Sequence, residues 1–332
     1  MIAAFVNPLS RANRKNPLLA ARLARALGDA GRVIAPSSLQ TLDEETRALA
    51  ADPPTVIAVH GGDGTLHKTL TALLRAFDQR ALPPIAILGG GTMNVVASSL
   101  GIRTRAVPFL AHLGDLDRAG RSPSVIYRRC LRVGDHVGFV FGNGVLANFL
   151  VEYYAGRQYG PARAIWLLGR LFLSALIQGP FVRRVFKRFR GVVVVDGQTL
   201  DFPDLMAVGA GTVREVGLGF KLLHQADDDP DRFAVLAIHA GARALVSDLA
   251  SVRRGRGISP AHAFSTVASN VEIRPFEPNT PYTIDGDIYR AGESLRIELG
   301  PRVAIVDPRR GEQGERDEQG KSGKQTGGSE SP

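Results

Sequence analysis

A single cysteine, Cys130, stands among 332 residues. That excludes a disulfide framework and any cysteine-rich metal site, and it points to a reducing compartment. A basic leader is missing from the opening MIAAFVNPLS, whose apolar run is also too short for an export signal, so a cytoplasmic setting is expected. Long hydrophobic runs are missing too. The most apolar window, WLLGRLFLSALIQGPFV at 166–182, falls short of a bilayer span and carries Arg170 and Pro180. There is no internal repeat. What is present is an ordinary globular balance, 44% hydrophobic and 22% charged, in a chain longer than one hydrophobic core usually grows, so two domains are the default. The net charge of +9 favours an anionic partner, whether nucleic acid, anionic lipid or a phosphorylated small molecule.

Short apolar runs and amphipathic ones alternate through the first hundred residues. Residues 2–6, 32–35, 55–60 and 85–88 read as buried strands. Between them NPLLAARLARALGDAG reads as a helix with Leu19, Leu23, Ala26 and Leu27 on one face and Gly31 past its end. LDEETRALAAD is a weaker helix, and LHKTLTALLRAF, from Leu66, a strong one. This rhythm implies a parallel sheet with helices on its faces. After about Arg105 the rhythm changes. SVIYRRCLRVGDHVGFVFGNG reads as two strands joined at Gly134 and Asp135, and GVVVVDGQTL and DLMAVGAG continue in β style around a helical block at 145–190. FAVLAIH, TVASNVEIRP, PYTIDGD, SLRIEL and RVAIVD resume the strands. The expected fold is α/β: an N-terminal parallel-sheet nucleotide-binding domain at 1–120, and a β-rich, sandwich-like acceptor domain with inserted helices at 121–308. Residues 309–332 lack core formers and balance their charges, which predicts a disordered tail.

HGGDGT, residues 60–65, follows a buried strand and opens a helix, the place where α/β sheets bind ligands. Bare backbone N–H groups at a helix start suit phosphate, and Thr65 can cap the helix or bond a phosphate oxygen. Asp63 would repel a phosphate unless a cation sits between them, which suggests a Mg²⁺-nucleotide; the bland alternative is a tight turn with Asp63 as a cap. A second loop, GGGTMN at 89–94, follows the next strand. Two such loops on neighbouring strands make a phosphate-sized cradle, with Asn7, Pro8 and Ser10 near them if the first strand is central. A Walker A loop is excluded, since His67 occupies the glycine position before Lys68 and Thr69, and the G-x-G-x-x-G fingerprint is absent from both loops. His60, Asp63 and His67 straddle strand, loop and helix, so surface histidines are the commoner reading over a metal site.

GGDGT, GGGTMN, the early NPLS and the late IDGD, in that order, resemble the diacylglycerol kinase catalytic-domain family, which includes bacterial lipid kinases and sphingosine kinases. The resemblance covers roughly residues 1–308, and GGDGT alone is shared with NAD kinases and phosphofructokinases. It implies phosphoryl transfer from ATP, with Mg²⁺, to a lipid hydroxyl in a cleft between two domains. By position, Asn7, Gly61, Gly62, Asp63, Gly64, Thr65, Gly91, Thr92 and Asn94 match the nucleotide-binding motifs. QYGPARAIWLLGRL is similar to the family's Tyr-containing helix. TIDGDIY matches the late Asp-Gly-Glu motif, which puts Asp287 in the place of the acid that activates the acceptor, one methylene shorter than glutamate. Asp63 and Asp287 are thus the expected catalytic acids. Asp229, in ADDDPDRF, takes the place of a structural Mg²⁺ ligand, although a surface acidic turn is the commoner reading there.

FVRRVFKRFRG, which opens on Phe181 and closes on Gly191, puts Val182, Val185, Phe186 and Phe189 on one helical face and most of its five cations off it. That is the pattern of an interfacial helix on anionic lipid, or of a core-packed helix with a solvated basic face. The kinase motifs favour a lipid over a nucleic acid partner, with peripheral association at the inner membrane face. The sequence leaves a homodimer open. Two other readings stay beside the lipid kinase: an NAD kinase-like enzyme with a soluble acceptor, and a regulator that binds nucleotide or lipid without catalysis.

Overall fold

Every residue of the first strand, Ile2–Val6 (β1), is buried. The computed structural model describes residues 1–309 apart from positions 79, 92, 157–161, 164, 168, 171–178 and 203, with the backbone alone at 11, 180 and 182. Thr92, the tail from 310 onward and parts of the 158–171 segment therefore lie outside the described residues. In β1, Ala3 and Phe5 turn to one face, against Ile57, Leu70 and Leu73. Ile2, Ala4 and Val6 turn to the other, against Leu23, Leu27 and Leu110. A strand covered on both faces is what a parallel sheet between two helix layers requires. β1 lies between Gly31–Ile34 (β2) and Val56–Gly61 (β3), and β3 pairs with Ile85–Gly89 (β4), all in parallel.

The helices of this half are Arg11–Lys15 (α1), Leu19–Leu27 (α2), Leu39–Ala51 (α3), Asp63–Phe77 (α4), Val95–Ser99 (α5) and Ala106–Arg118 (α6). α2 and α6 cover one face of the sheet; α3, α4 and α5 cover the other. The sequence pattern starts α4 at Leu66, but the helix begins three residues earlier. Gly62 takes the cap in an extended conformation, and Asp63, Gly64 and Thr65 form the first helical turn.

The second half runs Val125–Val133 (β5), His136–Gly138 (β6), Val140–Asn143 (β7), Val145–Tyr154 (α7), Pro180–Val185 (α8), Gly191–Val195 (β8), Gln198–Thr199 (β9), Ala207–Gly211 (β10), Phe233–Ile238 (β11), Ala242–Arg253 (α9), Ala263–Ala268 (β12), Asn270–Pro275 (β13), Pro281–Ile284 (β14), Asp287–Arg290 (β15) and Leu295–Val306 (β16). Six of these strands form an antiparallel sheet in the order β12-β11-β10-β7-β14-β15. The first sheet continues past β4 through β16, β13, β8 and β9, with β5 and β6 alongside. Phe141, Val208 and Phe233 of the antiparallel sheet pack on Val193, Val271 and Ile297 of the extended one, which makes a sandwich core. The architecture is thus the mixed α/β one that the sequence predicts.

Two details depart from the strand pattern. TVASNVEIRP reads as one strand, yet it breaks at Ser269 and changes sheets. Asp196 Oδ1 secures the corner by accepting the backbone N–H groups of Ser269 and Asn270 at 3.0 and 2.9 Å. SLRIEL and RVAIVD read as separate strands but join in β16, which has a register shift between Leu299 and Arg302 and meets β4 in parallel at Ile305. β16 is therefore the strand by which the chain's end returns to the first sheet. The outer face of the antiparallel sheet is covered by α7 and α9, with Leu146 and Val252 against Leu236 and Ile238.

Candidate active site

β1, β3 and β4 are neighbours in parallel, so their carboxyl ends release three loops at one edge. Asn7 follows β1, and its backbone N–H donates to the His60 carbonyl at 3.1 Å. Its side-chain amide donates to Thr65 Oγ1 at 2.9 Å, which orients the hydroxyl at the start of α4. Across from it, Gly90 N–H donates to the Gly61 carbonyl at 2.8 Å, and Gly91 N–H to Asn94 Oδ1 at 3.0 Å. Asn94 is held in a left-handed conformation, φ 48°, which asparagine tolerates better than most residues. The glycines answer to a close approach. A Cβ on Gly62 would stand 3.1 Å from the Cα of Gly91, and one on Gly91 would collide with the Cα of Gly62. The two loops touch backbone to backbone, which sets the second loop directly against the first turn of α4.

Asp63 ties these loops together. It sits in the first turn of α4, and its Oδ1 accepts the backbone N–H of Val96 at 3.2 Å, at the first turn of α5. Burial pushes its carboxyl above the usual carboxylate range, and the amides of Val95, Val96 and Asn94 pull it part of the way back. Asp63 thus acts as a cap, as the turn reading expects, and it also lines the cavity described below.

The late acids come from the β14–β15 turn. Asp285, φ 47°, is buried, and its Oδ1 accepts the N–H groups of Phe139 and Val140 at 3.0 and 2.9 Å. Burial raises its carboxyl to about 8 despite those donors, and the charges of Asp63 and Asp287 add to the rise. Asp287 lies against α4: a Cβ on Gly64 would be 3.1 Å from both of its carboxylate oxygens. Lys68, one helical turn past Gly64, places its Nζ 3.3 Å from Asp287 Oδ2.

Next to Lys68 on α4, His67 is buried, and burial holds its imidazole below its ordinary pKa. Its Nδ1 lies 2.8 Å from the Val137 carbonyl, which only accepts, so the proton is on Nδ1. Nε2 then accepts from the Tyr289 hydroxyl at 2.6 Å. Tyr289 is two residues beyond Asp287, on the same face of β15. This bond holds β15 against α4 and so sets how close Asp287 comes to Gly64. His60 instead lies buried beneath Gly90, where a Cβ on that residue would meet its ring. His60, Asp63 and His67 thus do not converge.

One cavity of about 890 Å³ joins these features. At one end Asn7, Gly62, Thr65, Lys68 and Gly91 line it; at the other, Leu146, Phe149 and Leu150 of α7, Phe186, and Leu245 and Leu249 of α9. Asp285, Gly286 and Asp287 line it too, as does Thr283, whose buried Oγ1 has no hydrogen-bond partner among the described residues. Sequence reasoning missed Lys68 and Thr283. Lys68 carried a signal, its i, i+4 spacing from Gly64; Thr283 carried none.

Asp229 is elsewhere. Its Oδ1 accepts the backbone N–H of Asp231 at 2.9 Å, Asp227 pairs with Arg128 and Arg214, both at 2.8 Å, and Asp231 pairs with Arg129 at 3.0 Å. Guanidinium groups hold the neighbouring acids where a cation was expected, and among the described residues no group of three or more His, Cys, Asp or Glu is placed to hold a metal ion. The basic stretch also differs from the interfacial pattern. Phe181, Val185 and Phe189 are buried, and Arg184, Lys187 and Arg188 pair with Glu152, Glu277 and Asp204. Those three apolar side chains serve the protein core and form no inserting face, and the helix itself ends at Val185. Among the described residues no helix is long and apolar enough to cross a membrane.

Residues 1–119 match the family model of the diacylglycerol kinase catalytic domain, the family that the motifs resemble. No curated protein matches the chain. The structure is similar to that of a Bacillus anthracis str. Sterne protein provisionally described as a diacylglycerol kinase. The two are 16% identical, over 92% of this chain and 97% of that one, with a TM-score of 0.68. It is also similar to the crystal structure of a diacylglycerol kinase from the same organism, 15% identical over 92% and 97% of the two chains, with a TM-score of 0.61. At such identities the likeness establishes a shared fold across both halves.

Proposed function

We propose that the protein is a lipid kinase that transfers the γ-phosphoryl group of ATP to a lipid hydroxyl, a reading that the match of residues 1–119 to the diacylglycerol kinase catalytic-domain model supports. The observation that carries this reading is the single cavity that connects the glycine loops to the apolar lining of α7 and α9. A soluble, polar acceptor has no use for a wall of leucine and phenylalanine; a lipid chain does. The first-turn amides of α4 suit the phosphates, and Asn7 fixes the Thr65 hydroxyl among them.

The site fits a magnesium ion of the kind held by one or two carboxylates together with substrate phosphates and water. Asp63 is the carboxylate that would hold it, since it lines the cavity beside those amides and its burial makes a nearby cation favourable. When bound, the ion supplies charge neutralisation on the phosphates. Asp287, on the wall beside Gly64, accepts the proton of the acceptor hydroxyl. Thr283 offers its unpartnered hydroxyl to the acceptor's polar head. A bilayer-resident acceptor gives the protein a reason to dock peripherally on the cytoplasmic face, with the cations of residues 181–191 toward anionic lipid.

A series of 1-acyl or 1-alkyl acceptors that differ only in chain length tests the reading. kcat/KM should rise about fourfold for each added methylene, the equivalent of ~0.8 kcal/mol, until the apolar end is filled. A dependence flat in chain length would contradict a lipid acceptor.

A further inference from the structure

We propose that Lys68 is a catalytic residue: its ammonium group leaves Asp287 to hold a non-bridging oxygen of the transferring phosphoryl group. The inference rests on the kinase reading of this same site and adds to it a cation supplied by the chain itself.

Three observations carry it. Asp287 is seated on the i, i+4 face of α4, with Gly64 giving the space and Lys68 the charge, its Nζ 3.3 Å from Oδ2. That oxygen is buried and makes no hydrogen bond, so the contact is a loose charge pair rather than a made bond. Among the described residues the ammonium has no other protein acceptor, although it carries three donors and lines the cavity beside Thr65. The pair is also poorly explained as a structural device, since Lys68 is 45% exposed and half-exposed ion pairs contribute little to stability. The position suits the chemistry instead. Lys68 stands between the acid that takes the acceptor's proton and the helix start on which the phosphates sit, where negative charge concentrates during transfer.

The step balances without a further reagent. The acceptor oxygen forms a bond to the γ-phosphorus while the bond from that phosphorus to the β,γ-bridging oxygen breaks. The bonding pair leaves on the terminal phosphate of ADP, and the acceptor's proton passes to Asp287. Lys68 stays protonated throughout. It donates to a γ-oxygen in the ATP complex and returns to Asp287 once that acid has lost its proton to solvent and the phosphorylated lipid has left.

The test uses Lys68→Met and Lys68→Arg in the full chain, with two readouts. In direct binding, Lys68→Met should weaken ATP by ~10- to 100-fold, the range of a hydrogen bond to a charged group, while leaving ADP affinity unchanged; Lys68→Arg should restore most of the ATP preference. In transfer, Lys68→Met should lower kcat with little change in the acceptor KM, and the thermal midpoint should match that of the parent. Equal weakening of ATP and ADP, or parental kcat in Lys68→Met, would overturn the role of Lys68 and leave the kinase reading standing. If the parent protein binds ATP no better than ADP and transfers nothing, the kinase reading fails and takes the role of Lys68 with it.

Discussion

Replacement of Asp287 by asparagine should lower kcat by ~10²- to 10⁴-fold, the range of a positioned general base, while ATP affinity and the thermal midpoint should stay near those of the parent. Asparagine keeps the shape that fits against Gly64 but cannot take a proton. It also removes the partner of Lys68, a pair too exposed to matter much to the fold. An aspartate is one methylene shorter than the glutamate common at this point of the family motif, which put its reach in question. The His67–Tyr289 hydrogen bond draws β15 onto α4, and Gly64 leaves the space in which the carboxylate lies. Near-parental kcat in Asp287→Asn would remove Asp287 from the chemistry.

Asp63→Asn should lower transfer by ~10²-fold or more, with an unchanged or slightly higher thermal midpoint. The carbonyl oxygen of asparagine still accepts the Val96 N–H that Oδ1 accepts now, so α5 keeps its cap. What is lost is the charge, which burial already makes costly to hold without a cation. Asp63→Ala is the informative companion, because it deletes the cap as well and should cost a further ~0.5–2 kcal/mol of stability. If Asp63 served only as a cap, the two variants would lose activity in step with stability and Asp63→Asn would keep it. Kinetics and thermal melts of both variants decide between these outcomes.

The glycine loops were legible in the sequence because their cause is local. Each follows a buried apolar run and opens a helix, although the backbone contact that Gly62 and Gly91 make with each other is no more local than the contacts of the acids. The sequence could not show that Asp63 bonds α5, or that Asp287 lies on Gly64, because those contacts join segments far apart in the chain; His67 and Tyr289 are 222 positions apart. Local signals also misled. α6 holds Pro108 and Gly114, which argue against a helix, yet Pro108 is its third residue, where the missing N–H costs nothing. α9, with arginine, serine and aspartate among small apolar residues, carries too weak a contrast to stand out between two strands. The apolar residues of 181–191 were visible, but the helix stops at Val185: Phe181 and Val185 pack with Tyr153 of α7 and with Leu167, while Phe189 joins the sandwich core, partners the stretch itself does not contain.

The central claim is phosphoryl transfer from ATP to a lipid. ATP labelled at its γ-phosphate, offered together with diacylglycerol, a sphingoid base and NAD in the presence of Mg²⁺, tests it most directly by chromatographic separation of the products. The expected result is label in a lipid phosphate and none in NAD. Label in NADP, or ATP binding with no labelled product at all, would contradict the lipid kinase and point to a soluble-acceptor kinase or to a binding regulator, respectively.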